Sequence, residues 1–197
     1  MISVPAFPRT VSVALGQAWR PTPEEGFRPG TVRLAWKPGK LVVHAELIDD
    51  AIHTRAKGFN ERLWELGDTF EMFLRPLPDE AYLEYHVAPG NHVLQLRFPS
   101  DRVIRGQRDG SDPRPPEAFL IPKKAFESET QIGKGKWEVR ATIPDASVRL
   151  GRQWKFSFSR YDATPHREHA ILSSTSAHTV VDFHDQSAWK TLVFAQE

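Results

Sequence analysis

The residue types best suited to chemistry crowd into the stretch Leu63 to Leu74, where a loop carrying Trp64 and Asp68 runs into an alternating segment carrying Glu71. Alternation sets Phe70, Met72 and Leu74 on one face and Glu71 with Phe73 on the other, so a core built on the apolar trio turns Glu71 outward. The run Tyr82 to Val87 repeats the arrangement, with Tyr82, Glu84 and His86 on one face and Leu83, Tyr85 and Val87 on the opposite one. Adjacent strands would bring Glu71 and His86 together. Carboxylates that accept from vicinal hydroxyls, beside a flat aromatic plate from Trp64 for the C–H face of a ring, are the parts a sugar site needs. Trp64 sits among Asn60, Glu61, Arg62 and Glu65 with no regular core position, which predicts an exposed ring. Trp36, Trp137, Trp154 and Trp189 lie in alternating runs and are expected in the core.

Other constellations suggest other chemistry. Asp49 and Asp50, at the end of a strand closing with Leu47-Ile48, would join Asp68 as oxygen ligands for calcium, although aspartate at strand ends also serves turn chemistry, the weightier reading. Glu71 and Glu84 on neighbouring strands also fit a glycoside-processing enzyme with paired carboxylates. Met72 with a histidine would be the axial pair of a haem-binding sandwich, but alternation turns Met72 inward and His86 outward. The eight histidines show neither His-x-x-x-His spacing nor a ligand triad, which argues against zinc. Nucleophile-elbow, phosphate-loop and dinucleotide fingerprints are absent from the sequence.

The elements that must position these groups read as strands. Val32 to Trp36 and Leu41 to Leu47 form a hairpin through Lys37-Pro-Gly-Lys40, and period-two alternation returns over 70–74, 82–87, 92–98, 137–143, 154–161 and 189–194. Sixteen prolines and twelve glycines punctuate these runs, and no window of helical length keeps an apolar stripe. The fold predicted is all-β: one antiparallel two-sheet sandwich over 1–197, immunoglobulin-like or jelly-roll-like, with long loops and little helix beyond a turn near Asp145 to Leu150. Arg105 to Pro116 is polar and reads as a mobile surface loop. Ala163 to Asp185 holds four of the eight histidines, ends in Phe183-His184-Asp185, and is the loop best placed for function.

Lysine plus arginine total 26 against 25 acidic residues, so no strong field points to nucleic acid or an anionic membrane. Without cysteine there is no disulfide frame and no thiolate site. Met1 to Arg9 lacks a basic leader and an apolar run, so the expectation is a chain without an export signal, leaning to the cytoplasm.

In order along the chain, the hairpin ending in Asp49-Asp50, Trp64 to Leu74, Tyr82 to Val87, Trp137 to Pro144, Trp154 to Asp162 and Phe183 to Phe194 are similar to stretches of the family 9 carbohydrate-binding modules. Gly16-Gln-Ala-Trp19 faintly echoes that family's opening tryptophan motif. The resemblance implies a two-sheet sandwich that grips a terminal mono- or disaccharide unit without catalysis. By position Trp64 resembles the first clamping ring, Phe183 the second, Glu71 the carboxylate and His86 the basic group. The ligand set expected is therefore Trp64, Glu71, Glu84, His86, Ser159, Phe183 and His184. Phenylalanine replaces the usual second tryptophan, histidine stands where arginine is typical, and Ser159 and Val180 occupy places of amide side chains. One extra residue also separates Trp64 from Glu71.

Overall fold

A computed structural model describes residues 1–196. Twelve strands make two sheets: β1 (Ile2–Val4), β2 (Val11–Leu15), β3 (Gly30–Lys37), β4 (Lys40–Ile48), β5 (Thr69–Pro76), β6 (Tyr82–Val87), β7 (Val93–Phe98), β8 (Glu127–Gly133), β9 (Lys136–Pro144), β10 (Gln153–Asp162), β11 (Ile171–Ser174) and β12 (Lys190–Phe194). The larger sheet runs β1-β12-β10-β5-β6-β7 with β11 beside β10, and the smaller runs β2-β3-β4-β9-β8. β10 is long enough to take two short partners along one edge, β12 at Gln153–Phe156 and β11 at Ser159–Asp162. Its other edge pairs with β5 from Trp154 to Tyr161.

The sandwich is the all-β architecture that the alternation requires. The strands pair antiparallel as expected, except that β1 lies parallel to β12 at the sheet edge. The facing sides of the two sheets fuse into a single apolar core. Phe70, Met72, Trp137, Val139, Trp154, Phe156 and Phe158 are all fully enclosed in it, as their period-two placement demands. Trp36 is buried at the edge of this core, its indole N–H donating to the Ala195 carbonyl at 2.7 Å. Strands β1, β2, β8 and β11 lie outside the segments read as strands. Glu127, Glu129 and Gln131 on the edge strand β8 carry no apolar alternation by which to recognise it.

The other face of the larger sheet is covered too, which corrects the outward exposure expected of Glu71 and His86. Phe73, Tyr82, Leu94, Leu96 and Phe98 pack there into a second cluster with Leu63, Phe183 and Trp189. Trp189 therefore belongs to this cluster, not to the core between the sheets. Part of the cover is helix α1 (Arg102–Asp109), which buries Val103, Ile104 and Gly106 and stops at Gly110 in the left-handed region, φ 79°. This corrects the mobile loop expected over Arg105 to Pro116, where a short 3-10 turn at Pro116–Phe119 continues the cover. Asp145 to Leu150 forms turns and not helix. Among the described residues, no helix is long and apolar enough to cross a membrane.

Candidate functional site

Strand register does the first part of the assembly. Glu71 on β5 lies directly opposite His86 on β6, and Phe73 opposite Glu84, so the three polar groups share the face away from the sandwich core. His86 stands between the carboxylates. Its Nε2 shares a 2.6 Å hydrogen bond with Glu84 Oε1, and its Nδ1 lies 3.3 Å from Glu71 Oε1. All three side chains are buried: Glu71 is 3% exposed, Glu84 4% and His86 1%. Among the described residues Glu84 Oε2 has no hydrogen-bond partner, and it sits 3.7 Å from His184 Nδ1, which is 2.9 Å from the Tyr82 hydroxyl.

Burial without full hydrogen bonding perturbs each group in a definite direction. Burial pushes the Glu71 carboxyl up to about 7, reinforced by the charge of Glu84 and opposed by His86. For Glu84 burial again acts upward, but the neighbouring His184 and the His86 hydrogen bond outweigh it and hold the group below its ordinary value. Burial drives His86 down, and Glu71 and Glu84 together reverse that and raise it. His184 goes the other way, lowered by burial in a cage of Phe73, Phe98 and Tyr82. The two carboxylates thus favour the charged form of His86, while burial prevails at Glu71, favouring its protonated form, and not at Glu84.

Trp64 enters from a 3-10 turn, Leu63–Glu65, and meets His86 edge-on with ring centroids 5.5 Å apart. The ring is half-buried, not free in solvent as expected, because Leu63 and the second cluster hold its inner side. Gly67 fixes this turn against the preceding loop: its φ is +145°, and a Cβ there would lie 2.3 Å from the His53 carbonyl oxygen. Asp68 locks the same junction by accepting from the backbone N–H groups of His53 and Ala163.

Phe183 arrives from the long loop after β11. It is 6% exposed, backed by Trp19, Phe73 and Tyr161 at centroid distances of 6.0 to 6.4 Å, and its carbonyl accepts from the Trp189 indole at 2.8 Å. Next to it, Asp182 accepts two hydrogen bonds from the Arg108 guanidinium, at 2.6 and 2.7 Å, tying this loop to α1.

These segments enclose a cavity of about 380 Å³, within the range of small-ligand sites. Of the residues singled out from sequence, Trp64, Glu71, Glu84, His86, Phe183 and His184 line it. Ser159 does not. It neighbours Glu71 on β10, but its hydroxyl is buried 3.4 Å from Ser174 Oγ in a cluster with Ser157 and Ser176. Val180 is exposed and away from the cavity. Sequence reasoning missed Phe73 and Tyr161, although parity places Phe73 with Glu71 and Tyr161 two residues beyond Ser159. It also missed Gln107, Arg108 and Asp182, which come from segments without periodicity.

The aspartates behave differently from the expected calcium set. Asp49 and Asp68 converge with Asp162, each offering an oxygen within 4.8 Å of the others, while Asp50 turns outward to pair with Arg28. Asp162 thus replaces Asp50 in the trio. The cation among them is Arg160, fully buried, 3.0 Å from Asp49 and 3.3 Å from Asp162, and donating to the Ile48 carbonyl at 2.7 Å. Burial and the charge of Asp49 push the Asp68 carboxyl up to about 8, against the two backbone N–H groups and Arg160. The guanidinium contacts Asp49 and Asp162 while Asp68 holds the backbone of His53 and Ala163, so these residues form an internal anchor joining the ends of β4 and β10 to the loop before β5.

No family model matches the sequence, and no curated protein sequence matches it. Solved structures do. A candidate carbohydrate-binding protein from Bacteroides uniformis superposes with a TM-score of 0.70 at 17% identity, over 94% of this chain and 86% of that one. A family 9 carbohydrate-binding module from Caldicellulosiruptor kristjanssonii in complex with cellotriose gives 0.65 at 14% identity, over 100% of this chain and 94% of its own. A family 9 module from the same organism in complex with glucose gives 0.61 at 13%, over 100% and 85%. At such identities the likeness establishes the fold: this chain has the sandwich of a family 9 carbohydrate-binding module.

Proposed function

We propose that the protein is a non-catalytic carbohydrate-binding domain that holds a terminal sugar unit between Trp64 and Phe183. Glu71, Glu84 and His86 reach the hydroxyls at the inner end of the cavity. The observation that carries this reading is the convergence of two aromatic rings, two carboxylates and a histidine, from three separate stretches of chain, on one cavity of monosaccharide scale. The bound cellotriose and glucose of the structural neighbours support the ligand class.

The competing chemistries fit less well. Glu71 and Glu84 face opposite nitrogens of the single His86 ring, so an imidazole stands between the two carboxylates where an acid–base pair would have to receive the scissile bond. Met72 is enclosed in the sandwich core while His86 points from the opposite face of the sheet, so the two cannot share an iron.

Calorimetric titration with glucose and cello-oligosaccharides tests the proposal. Replacing Trp64 by alanine is expected to remove more than about 2 kcal/mol of binding free energy, as truncation of an aromatic anchor does. A Trp64→Ala protein that binds the same sugar with unchanged affinity would reject the clamp.

A further inference from the structure

We propose that the inner end of this cavity selects a sugar carrying a protonated amine over its neutral counterpart. The inference rests on the carbohydrate-binding reading and names the ligand class within it.

The argument begins with hydrogen bonds that are not made. Glu71 accepts none among the described residues, with His86 Nδ1 lying 3.3 Å from its Oε1, and Glu84 Oε2 is likewise without a donor. Both carboxylates are more than nine-tenths buried and both line the cavity. Charge is unbalanced in the same place. At the cavity mouth Arg108 and Asp182 cancel through their double hydrogen bond. At the inner end two carboxylates face one histidine, whose charged form they favour, and His184, lowered by burial, adds little positive charge. A neutral sugar can donate to either carboxylate but leaves the excess negative charge in a desolvated site, where its cost is high. An ammonium brings three donors and one positive charge, matching both deficits at once.

The charged and titratable groups facing Glu71 are few. From β6 come Glu84 and His86, from β10 Tyr161, and from the loop after β11 His184, with Asp182 and Arg108 at the mouth. Without a bound cation Glu71 takes up a proton below about pH 7, whereas an amine flanked by hydroxyls loses its own near about pH 8. Selection is therefore expected to be strongest between these values.

The test is calorimetry on the intact protein with glucose and with its 2-, 3- and 6-amino derivatives, at pH 7.5 and pH 5 in low salt. At least one amino sugar is expected to bind about tenfold more tightly than glucose at pH 7.5, the gain of one charge-assisted contact. Its N-acetyl form, with the charge removed, is expected to lose that gain. The ratio of amino sugar to glucose affinity is expected to shrink at pH 5, and Glu71→Gln is expected to bring it below about twofold at pH 7.5. The wild-type pH series stands by itself should that variant not fold. If glucose binds while no amino derivative exceeds it, charge selection is overturned and the sugar site stands. If no sugar of either kind binds, the site reading fails and this inference falls with it.

Discussion

The two faces of the larger sheet bury their side chains to the same depth by different means. On the side toward the smaller sheet, Phe70, Met72, Leu74, Trp154, Phe156 and Phe158 fill space between strands with nothing left to satisfy. On the other side Glu71, Glu84 and His86 are nearly as inaccessible as those phenylalanines, yet Glu84 Oε2 and His86 Nδ1 have no hydrogen-bond partner among the described residues. Depth of burial alone therefore does not distinguish a finished core from a site. What distinguishes them is whether the enclosed groups have partners, because an apolar side chain is satisfied by contact and a carboxylate only by a donor.

The Asp49–Asp68–Asp162 cluster tests this contrast most severely, because its one cation comes from within the fold. Arg160→Met strips Asp49 and Asp162 of the buried guanidinium they share and is expected to cost about 3–5 kcal/mol, read by urea denaturation at pH 7. Since Arg160 is the cation of the cluster, chelator is expected to leave the wild-type melting curve where it is. A fall in melting temperature on chelation would assign a metal ion to these carboxylates.

Trp154 is the apolar counterpart. It is fully buried between the sheets, its indole N–H donating to Ser147 Oγ at 2.9 Å. Trp154→Ala opens a cavity and is expected to cost about 3–5 kcal/mol of stability. Trp64→Ala, at the half-buried rim, is expected to cost about 1 kcal/mol of stability while removing most of the sugar affinity. Melting and titration of the two variants side by side separate a core ring from a binding ring. Equal destabilisation would erase the distinction.

A further contrast concerns protons. Native Glu71 keeps its proton up to about pH 7, whereas its ordinary value is 4.5. Between these values the native state binds more protons than the unfolded chain, so this group lowers stability as pH rises. Glutamine cannot titrate. The stability of Glu71→Gln relative to wild type is expected to climb by roughly 1–3 kcal/mol from pH 4.5 to 7 and to level off above, measured by denaturant melts across that range. A flat difference would show that the carboxylate is ionised throughout.

Much of this arrangement was legible as parity. A period of two in Phe70 to Leu74 and Tyr82 to Val87 fixes which side chains share a face, and strand order supplies the Glu71–His86 contact. Arg160 shows where reading stopped short. It follows Phe156 and Phe158 at the same inward parity, so a charged residue on an apolar row already pointed to buried carboxylates. The roof over the site was harder to see. Helix α1 has eight residues, two of them buried apolar side chains, and Phe183 lies on a loop whose backing partners Trp19 and Tyr161 are distant in sequence. Local pattern cannot report a layer assembled from such contacts, and so Glu71 and His86 were expected in solvent. Strand β8 escaped for the opposite reason, its polar composition suiting an edge exposed to water.

Gly67 has a consequence for rates. Its backbone is pressed so closely on the His53 carbonyl that no other residue fits, and Asp68 secures the same junction from both sides. The turn presenting Trp64 is consequently shaped when the chain folds, not when a ligand arrives. Ordering entropy that a mobile plate would charge against every encounter has already been spent. Association at such a surface is governed by diffusion and orientation, and discrimination between ligands is left to how long each one stays.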